Sequence, residues 1–210
     1  KKVKEKNSVV VKEGKRDLIN EAFRVLRTNV EFMSGEEKHS QILVVSSFNP
    51  GSGKTFLPMN LAASLSIKGK RILVIDGDFR HGSASAYGGS PKTGLSDYLG
   101  ERFEQLDEII QPVPDYANLF ILPVGTIPPN PTELLEKERF VTLMNSFRKE
   151  FDYILIDCPP VELVADTQII ESQADRMLFV VRTGLLERSM LNELDIFYKE
   201  KKFKNMALVL

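Results

Sequence analysis

"QILVVSSFNPGSGKTFLPMNLAASLSIKGK", residues 41–70, reads as three elements in a row. "QILVVSS" (41–47) is a short apolar run rich in branched residues, the signature of a buried strand. "TFLPMNLAASLSIKGK" (55–70) has the composition of a helix, and a loop containing Gly51 and Gly53 separates the two. A strand, a glycine loop and a helix in that order build an anion site. The glycines let the backbone approach phosphates without a Cβ in the way, successive N–H groups form a nest, and the helix adds its positive end. In "GSGKT", Lys54 is placed to reach β- and γ-phosphates, and Thr55 to offer its hydroxyl to Mg²⁺. Pro50, Gly51, Ser52, Gly53, Lys54, Thr55 and Phe56 are therefore the candidate nucleotide-binding residues. Two features are irregular. The general pattern G-x-x-x-x-G-K-[ST] asks for glycine where this chain has Phe48. Pro58 falls about a turn into the helix, where it removes a backbone donor and is expected to kink it.

Working outward, the same alternation continues. "RILVID" (71–76), "NLFILP" (118–123), "DYILID" (152–157), "RMLFVV" (176–181) and "NMALVL" (205–210) read as further buried strands. Between them, "TGLSDYLG", "RFEQLDEIIQ", "NPTELLEKERFVTLMNSFRKEF" and the segments 163–173 and 187–200 read as helical. Continuous apolar strands separated by helices predict an α/β fold, a mostly parallel central sheet with helices on both faces. Upstream, Asp17 to Ser34 reads as an amphipathic helix. Leu18, Ile19, Ala22, Val25, Leu26, Val30 and Met33 share one side, and Glu21, Arg24, Arg27, Thr28 and Glu31 the other. The division expected is a polar segment at 1–16 and one domain at 17–210, with the natural chain continuing past a strand that stops at Leu210.

Composition narrows the function classes. With 28 Lys and Arg against 29 Asp and Glu, the formal net charge is −1, which argues against a nucleic-acid partner. The lysines at either end ("KKVKEK", "KEKKFK") read as a solvated tail and a helix end. Cys158, the single cysteine, excludes an internal disulfide and any multi-thiolate metal site, and points to a reducing compartment. It reads as an inert small residue. His39 and His81 fall in loops, with no metal-ligand spacing. No apolar run approaches the ~18 residues that cross a bilayer, so the segment reads as soluble.

In sheets of this type, ligands bind beyond the carboxyl ends of the strands. The glycine loop occupies one such end. A second, "ILVIDGDFR", places Asp76, Asp78 and Arg80 just past a strand; carboxylates at i and i+2 on extended chain share a side and suit Mg²⁺ or a proton. A third, "ILIDCPP", places Asp157 after four apolar residues, where a carboxylate binds Mg²⁺ through water, and Pro159 and Pro160 stiffen the loop that follows.

Together, "NPGSGKT", "ILVIDGDFR" and "ILIDCPP" resemble the Walker A, A′ and B motifs of bacterial tyrosine kinases of capsular and exopolysaccharide synthesis, P-loop NTPases with a MinD/ParA-like fold. Members of that family commonly carry proline in the first motif and lack its early glycine. The resemblance extends through "EAFRVLRTNVEF", "GLSDYLG", "LPVGTIPPNPTELL", "PPVELVADTQII" and "LFVVRTG". It implies an ATP-dependent, Mg²⁺-requiring protein-tyrosine kinase, autophosphorylating in trans. Lys54 and Thr55 then serve phosphates and metal, and Asp76 is the principal acidic residue at the metal and the base toward a tyrosine hydroxyl. Asp78 and Arg80 complete the second motif, and Asp157 is a metal carboxylate. The resemblance makes Glu21, Arg24 and Arg27 an E-x-x-R-x-x-R oligomerisation motif in a ring-like homo-oligomer. It also implies two partners outside this sequence: a tyrosine-rich C-terminal tail of neighbouring subunits and a membrane activator region. The family works at the cytoplasmic side of the bacterial inner membrane. Tyr87, Tyr98, Tyr116, Tyr153 and Tyr198 are scattered, unlike such a tail.

Two other readings share the fold. ParA/MinD-like ATPases resemble K-G-G-x-G-K-T at this loop, but their signature lysine is replaced here by Asn49. A nucleotide-dependent assembly switch would bind ATP and oligomerise without phosphorylating tyrosine.

Overall fold

The computed structural model describes residues 9–35, 39–89, 91–161 and 165–210. Its centre is a seven-stranded sheet of β1 (Gln41–Ser47), β2 (Ile72–Asp76), β3 (Gln111–Pro112), β4 (Leu119–Leu122), β5 (Tyr153–Asp157), β6 (Arg176–Val180) and β7 (Ala207–Val209). The spatial order is β3-β4-β2-β5-β1-β6-β7, and every pairing is parallel except β3 with β4. The six strands expected from apolar runs are all present, shortened by up to three residues. β3 begins at the last residue of the expected helix "RFEQLDEIIQ", and only α4 (Leu106–Ile109) of that stretch is helical. Pro112 cannot continue a helix, and the chain turns back there as an antiparallel edge.

Both faces of the sheet are covered, and the alternation of each strand shows how. In β1, Ile42 and Val44 enter one core layer and Leu43 and Val45 the other; β2, β5 and β6 divide in the same way. The first layer is roofed by α3 (Leu95–Leu99), α5 (Pro131–Leu135), α6 (Glu138–Phe147), α7 (Asp166–Glu171) and α8 (Met190–Lys199). The second is roofed by α2 (Phe56–Ile67) and, outside it, α1 (Leu18–Ser34). The expected helix over 163–173 is described from Ala165 onward; residues 162–164 of "PPVELVADTQII" lie outside the described residues, as do residues 1–8 of the polar segment. What is described of that segment is anchored. The buried Asn60 on α2 accepts the N–H groups of Val10 and Val11 at 2.8 and 3.2 Å, and Val11 is itself buried.

Two expectations change here. α1 buries only part of the predicted apolar side: Val30 is buried, and Leu26 and Met33 are half-buried against the second core layer. Its contact stripe is Asn20, Phe23, Arg27 and Val30, and Arg27 donates to the carbonyl of Ser64 on α2 at 2.9 Å. Leu18, Val25 and Phe32 stay exposed, so Arg27 sits inward while part of the apolar stripe faces out. Pro58 leaves α2 continuous: it is the third residue of the helix, and the Leu57 and Met59 N–H groups on either side still donate to the Gly53 and Thr55 carbonyls. Among the described residues, no helix is long and apolar enough to cross a membrane.

Candidate active site

β1 delivers the glycine loop to the carboxyl end of the sheet. Gly51 (φ 76°) and Gly53 (φ 96°) both occupy the left-handed region, which is the reason for glycine at these positions; the space around them is open. The hydroxyls of Ser47 and Ser52 both donate to the Asn49 carbonyl, at 2.9 and 2.7 Å, closing the loop on itself. Leu57 N–H donates to the Gly53 carbonyl at 2.9 Å, so the helical turn begins ahead of α2 and its positive end faces the loop. Phe48, the residue in place of the motif's first glycine, points away from the loop into the first core layer. It is buried and packs edge-on against Phe179 of β6, ring centroids 4.9 Å apart. The substitution is a core residue and leaves the phosphate cradle open.

The second and third motifs meet through sheet register. Asp76 of β2 lies directly opposite Asp157 of β5, and Asp157 opposite Val45 of β1. By the alternation of both strands, the two carboxylates point to the α2 side, where the loop ends. Both are fully buried. Asp76 is held firmly: its Oδ2 accepts the Ser85 N–H at 2.6 Å and the Ser85 hydroxyl at 2.7 Å, and its Oδ1 accepts the Asp78 N–H at 3.1 Å. Asp157 is the opposite case: the Thr55 hydroxyl lies beside its carboxylate, but neither oxygen has a partner in hydrogen-bond geometry among the described residues. Burial raises the Asp76 carboxyl to about 6, against the lowering effect of the Ser85 hydrogen bonds. Burial raises Asp157 to about 8, the neighbouring Asp76 charge adds to this, and Thr55 and Lys54 pull it back. Two adjacent buried carboxylates, one with open oxygens, at the end of a helix bearing a lysine and a threonine hydroxyl, suit a divalent cation beside phosphates. Among the described residues, no three His, Cys, Asp or Glu side chains converge into a ready-made metal cage.

Asp78 and Arg80 take different positions. The buried Asp78 folds its own turn, its Oδ1 accepting from the N–H groups of Arg80 and His81 at 3.2 Å each. That turn lifts the Arg80 side chain to the surface. Glu21 and Arg24 lie on α1 and pair with each other. Cys158 is buried, and burial pushes its thiol up, so it is unreactive.

A family model described as an AAA domain matches residues 40–204. The tyrosine-protein kinase CpsD of Streptococcus agalactiae is 33% identical over 192 residues, covering 90% of this chain and 82% of CpsD. This chain belongs to the bacterial tyrosine-protein kinase family. EpsB of Ralstonia solanacearum, a candidate tyrosine-protein kinase, is 38% identical over 190 residues; the match covers 89% of this chain but spans only 24% of EpsB. The solved kinase domain of the Escherichia coli tyrosine kinase ETK superposes with a TM-score of 0.80 at 29% identity, covering 90% of this chain and 74% of that one. The cell-division ATPase MinD of Pyrococcus furiosus, at 24% identity and a TM-score of 0.66 over 81% of this chain and 71% of that one, shares the fold alone.

In this member of the tyrosine-kinase family, three supports of the site lie outside the three strand-end motifs. Arg182, in the loop after β6, donates to the Gly51 carbonyl at 2.9 Å and pins the outside of the phosphate loop. Ser85 positions Asp76, and its hydroxyl oxygen in turn accepts the Val124 N–H at 2.9 Å. Val124 belongs to a junction in which "GLSDYLG" and "LPVGTIPP" are two halves. Asp97 accepts from the N–H groups of Gly94 and Thr126 at 3.1 and 3.0 Å, and a Cβ at Gly94 would strike the Pro123 carbonyl oxygen. The glycine and aspartate of that junction were visible in the sequence as a resemblance. Ser85 lies in none of those stretches, and although Arg182 falls within "LFVVRTG", nothing local marks its bond to the Gly51 carbonyl, far back in the chain.

Proposed function

We propose that this chain is an ATP-dependent protein-tyrosine kinase that regulates capsule or exopolysaccharide synthesis and export. The observation that carries the reading is the pairing of Asp76 with the open Asp157 at the mouth of the glycine loop. The loop N–H groups and Lys54 bind and align the phosphates of ATP. Mg²⁺, held by Thr55, Asp76 and Asp157, would neutralise charge on the phosphate oxygens. Asp76, fully buried and aimed by Ser85, accepts the proton of the incoming tyrosine hydroxyl. The tyrosine oxygen bonds to the γ-phosphorus as the β–γ bond breaks, and ADP leaves. Asp78 shapes the turn that carries Arg80, which brings a further cation to the rim.

Self-association through α1 into a ring, the tyrosine-rich tail of a neighbouring subunit as acceptor, and a membrane activator region at the cytoplasmic face of the inner membrane belong to the same proposal. In its support, α1 exposes Leu18, Val25 and Phe32 beside Glu21 and Arg24, and Phe56 at the loop is also exposed. Labelled ATP, with a tyrosine-rich acceptor segment supplied and phosphoamino-acid analysis of the product, tests the reaction. Phosphotyrosine should form and should be lost in Lys54→Met and Asp76→Asn. Full phosphotyrosine in either variant refutes the assigned roles, and ATP turnover without phosphotyrosine favours a MinD-like ATPase.

A further inference from the structure

One buried carboxylate at the same end of the sheet has no part in that chemistry. Asp166, the first residue of α7, is 1% exposed. Its Oδ1 accepts the hydroxyl of Thr132, on α5, at 2.7 Å, while its Oδ2 is buried with no hydrogen-bond partner among the described residues. Facing that oxygen at 3.6 Å is the guanidinium of Arg80, whose side chain is about half exposed. A buried carboxylate left with one bare oxygen is costly unless a cation stands against it. Three segments distant in the chain therefore meet at one ion pair: the turn after β2, α5 and α7.

The backbone of Arg80 is already fixed by Asp78. Asp166 adds a second anchor at the far end of the side chain. Thr132 occupies one Asp166 oxygen and leaves the other to Arg80, which sets the side from which the guanidinium approaches. The planar guanidinium carries five N–H donors, and those not turned to Asp166 remain open on the exposed side. An arginine that is already oriented loses less side-chain freedom when an anion arrives.

We propose that Asp166, braced by Thr132, is a positioning residue that holds the Arg80 guanidinium ready for an anionic group of the reacting substrates. The proposal rests on the phosphotransferase reading of the site. A carboxylate that merely favours the N-terminus of α7 would cost some stability when neutralised but would not act through Arg80.

Two measurements decide it. The Nε–H signal of Arg80 in the ¹⁵N-labelled chain, assigned by its loss in Arg80→Lys, should exchange with solvent faster in Asp166→Asn and in Thr132→Val. Unchanged exchange overturns the tether even if the protein catalyses nothing. Steady-state ADP release then reads its purpose, whichever acceptor takes the phosphate. In Asp166→Asn, kcat should fall about tenfold with the KM for ATP held within about twofold, and Thr132→Val should lose about threefold. The Arg80→Ala/Asp166→Asn double variant should be no slower than Arg80→Ala. Additive losses overturn the proposal. Phosphotyrosine analysed in the same reactions judges the kinase assignment separately: ADP release without phosphotyrosine sinks that assignment and leaves the Arg80–Asp166 cycle decisive.

Discussion

Asp157→Asn should make the ligand-free protein more stable relative to wild type as pH rises. Asp157 is fully buried, neither oxygen has a hydrogen-bond partner among the described residues, and its carboxyl is raised from the ordinary 3.8 to about 8. A carboxyl whose folded value is raised binds more protons folded than unfolded. Its contribution is complete below about 4 and is lost as pH rises toward about 8. Taken alone, that shift removes about 4 kcal/mol between pH 5 and 8. Asp157 titrates together with Asp76, so about half, ~2 kcal/mol, is the reasonable share for one of the pair. Asparagine fills the same volume, and whatever its buried amide costs does not vary with pH. The comparison is therefore a slope. Thermal unfolding of both proteins in chelator, from pH 5 to 8, should show the melting-temperature difference moving in favour of the variant by about 5 °C. Mg²⁺ with a non-hydrolysable ATP analogue should raise the wild-type melting temperature and leave the variant nearly unmoved. A difference that stays flat from pH 5 to 8 refutes the reasoning, since it would mean that Asp157 is already satisfied without a cation.

Restoring the motif glycine by Phe48→Gly should destabilise the fold by about 4 kcal/mol, read by chemical denaturation, because a core aromatic packed on Phe179 is removed. Ser85→Ala strips a hydrogen bond that lowers the Asp76 carboxyl and leaves the Val124 N–H without its acceptor. The acidic limb of the pH–activity profile should move to higher pH, with about 1–2 kcal/mol of stability lost; an unmoved limb would remove Asp76 from the titrating step. For assembly, Leu18→Ser/Val25→Ser and the Glu21/Arg24/Arg27 triple alanine should both lower the sedimentation coefficient of any oligomer. Only the triple variant should also loosen α1 from α2, because Arg27 is bonded to Ser64. Unchanged assembly in both would exclude α1 as the contact.

How much was legible in the sequence follows from the range of the interactions. The parallel sheet, its strands and the loaded strand ends were legible because burial on both faces writes continuous apolar runs, and because glycine, lysine and threonine at fixed spacing serve a local need. β3 was hidden, since a two-residue edge ending in proline leaves no periodic trace. The facing of α1 was hidden too: hydrophobicity marks an apolar stripe, but which stripe meets α2 is settled by Phe23, Val30 and the Arg27–Ser64 bond. Phe48 looked like a defect in a motif and is a core residue, because a residue's direction at a strand end depends on the layer beneath it.

The sequence by itself determined that a phosphate loop lies at the end of a parallel strand with carboxylates at two other strand ends, all of it local chain chemistry. Only the tertiary structure decided that Asp76 and Asp157 stand side by side, that Ser85 saturates one and nothing described saturates the other, and that Asp166 reaches Arg80. Except for Ser85 with Asp76, those contacts join segments far apart in the chain, and their register is set by the packing of the whole sheet.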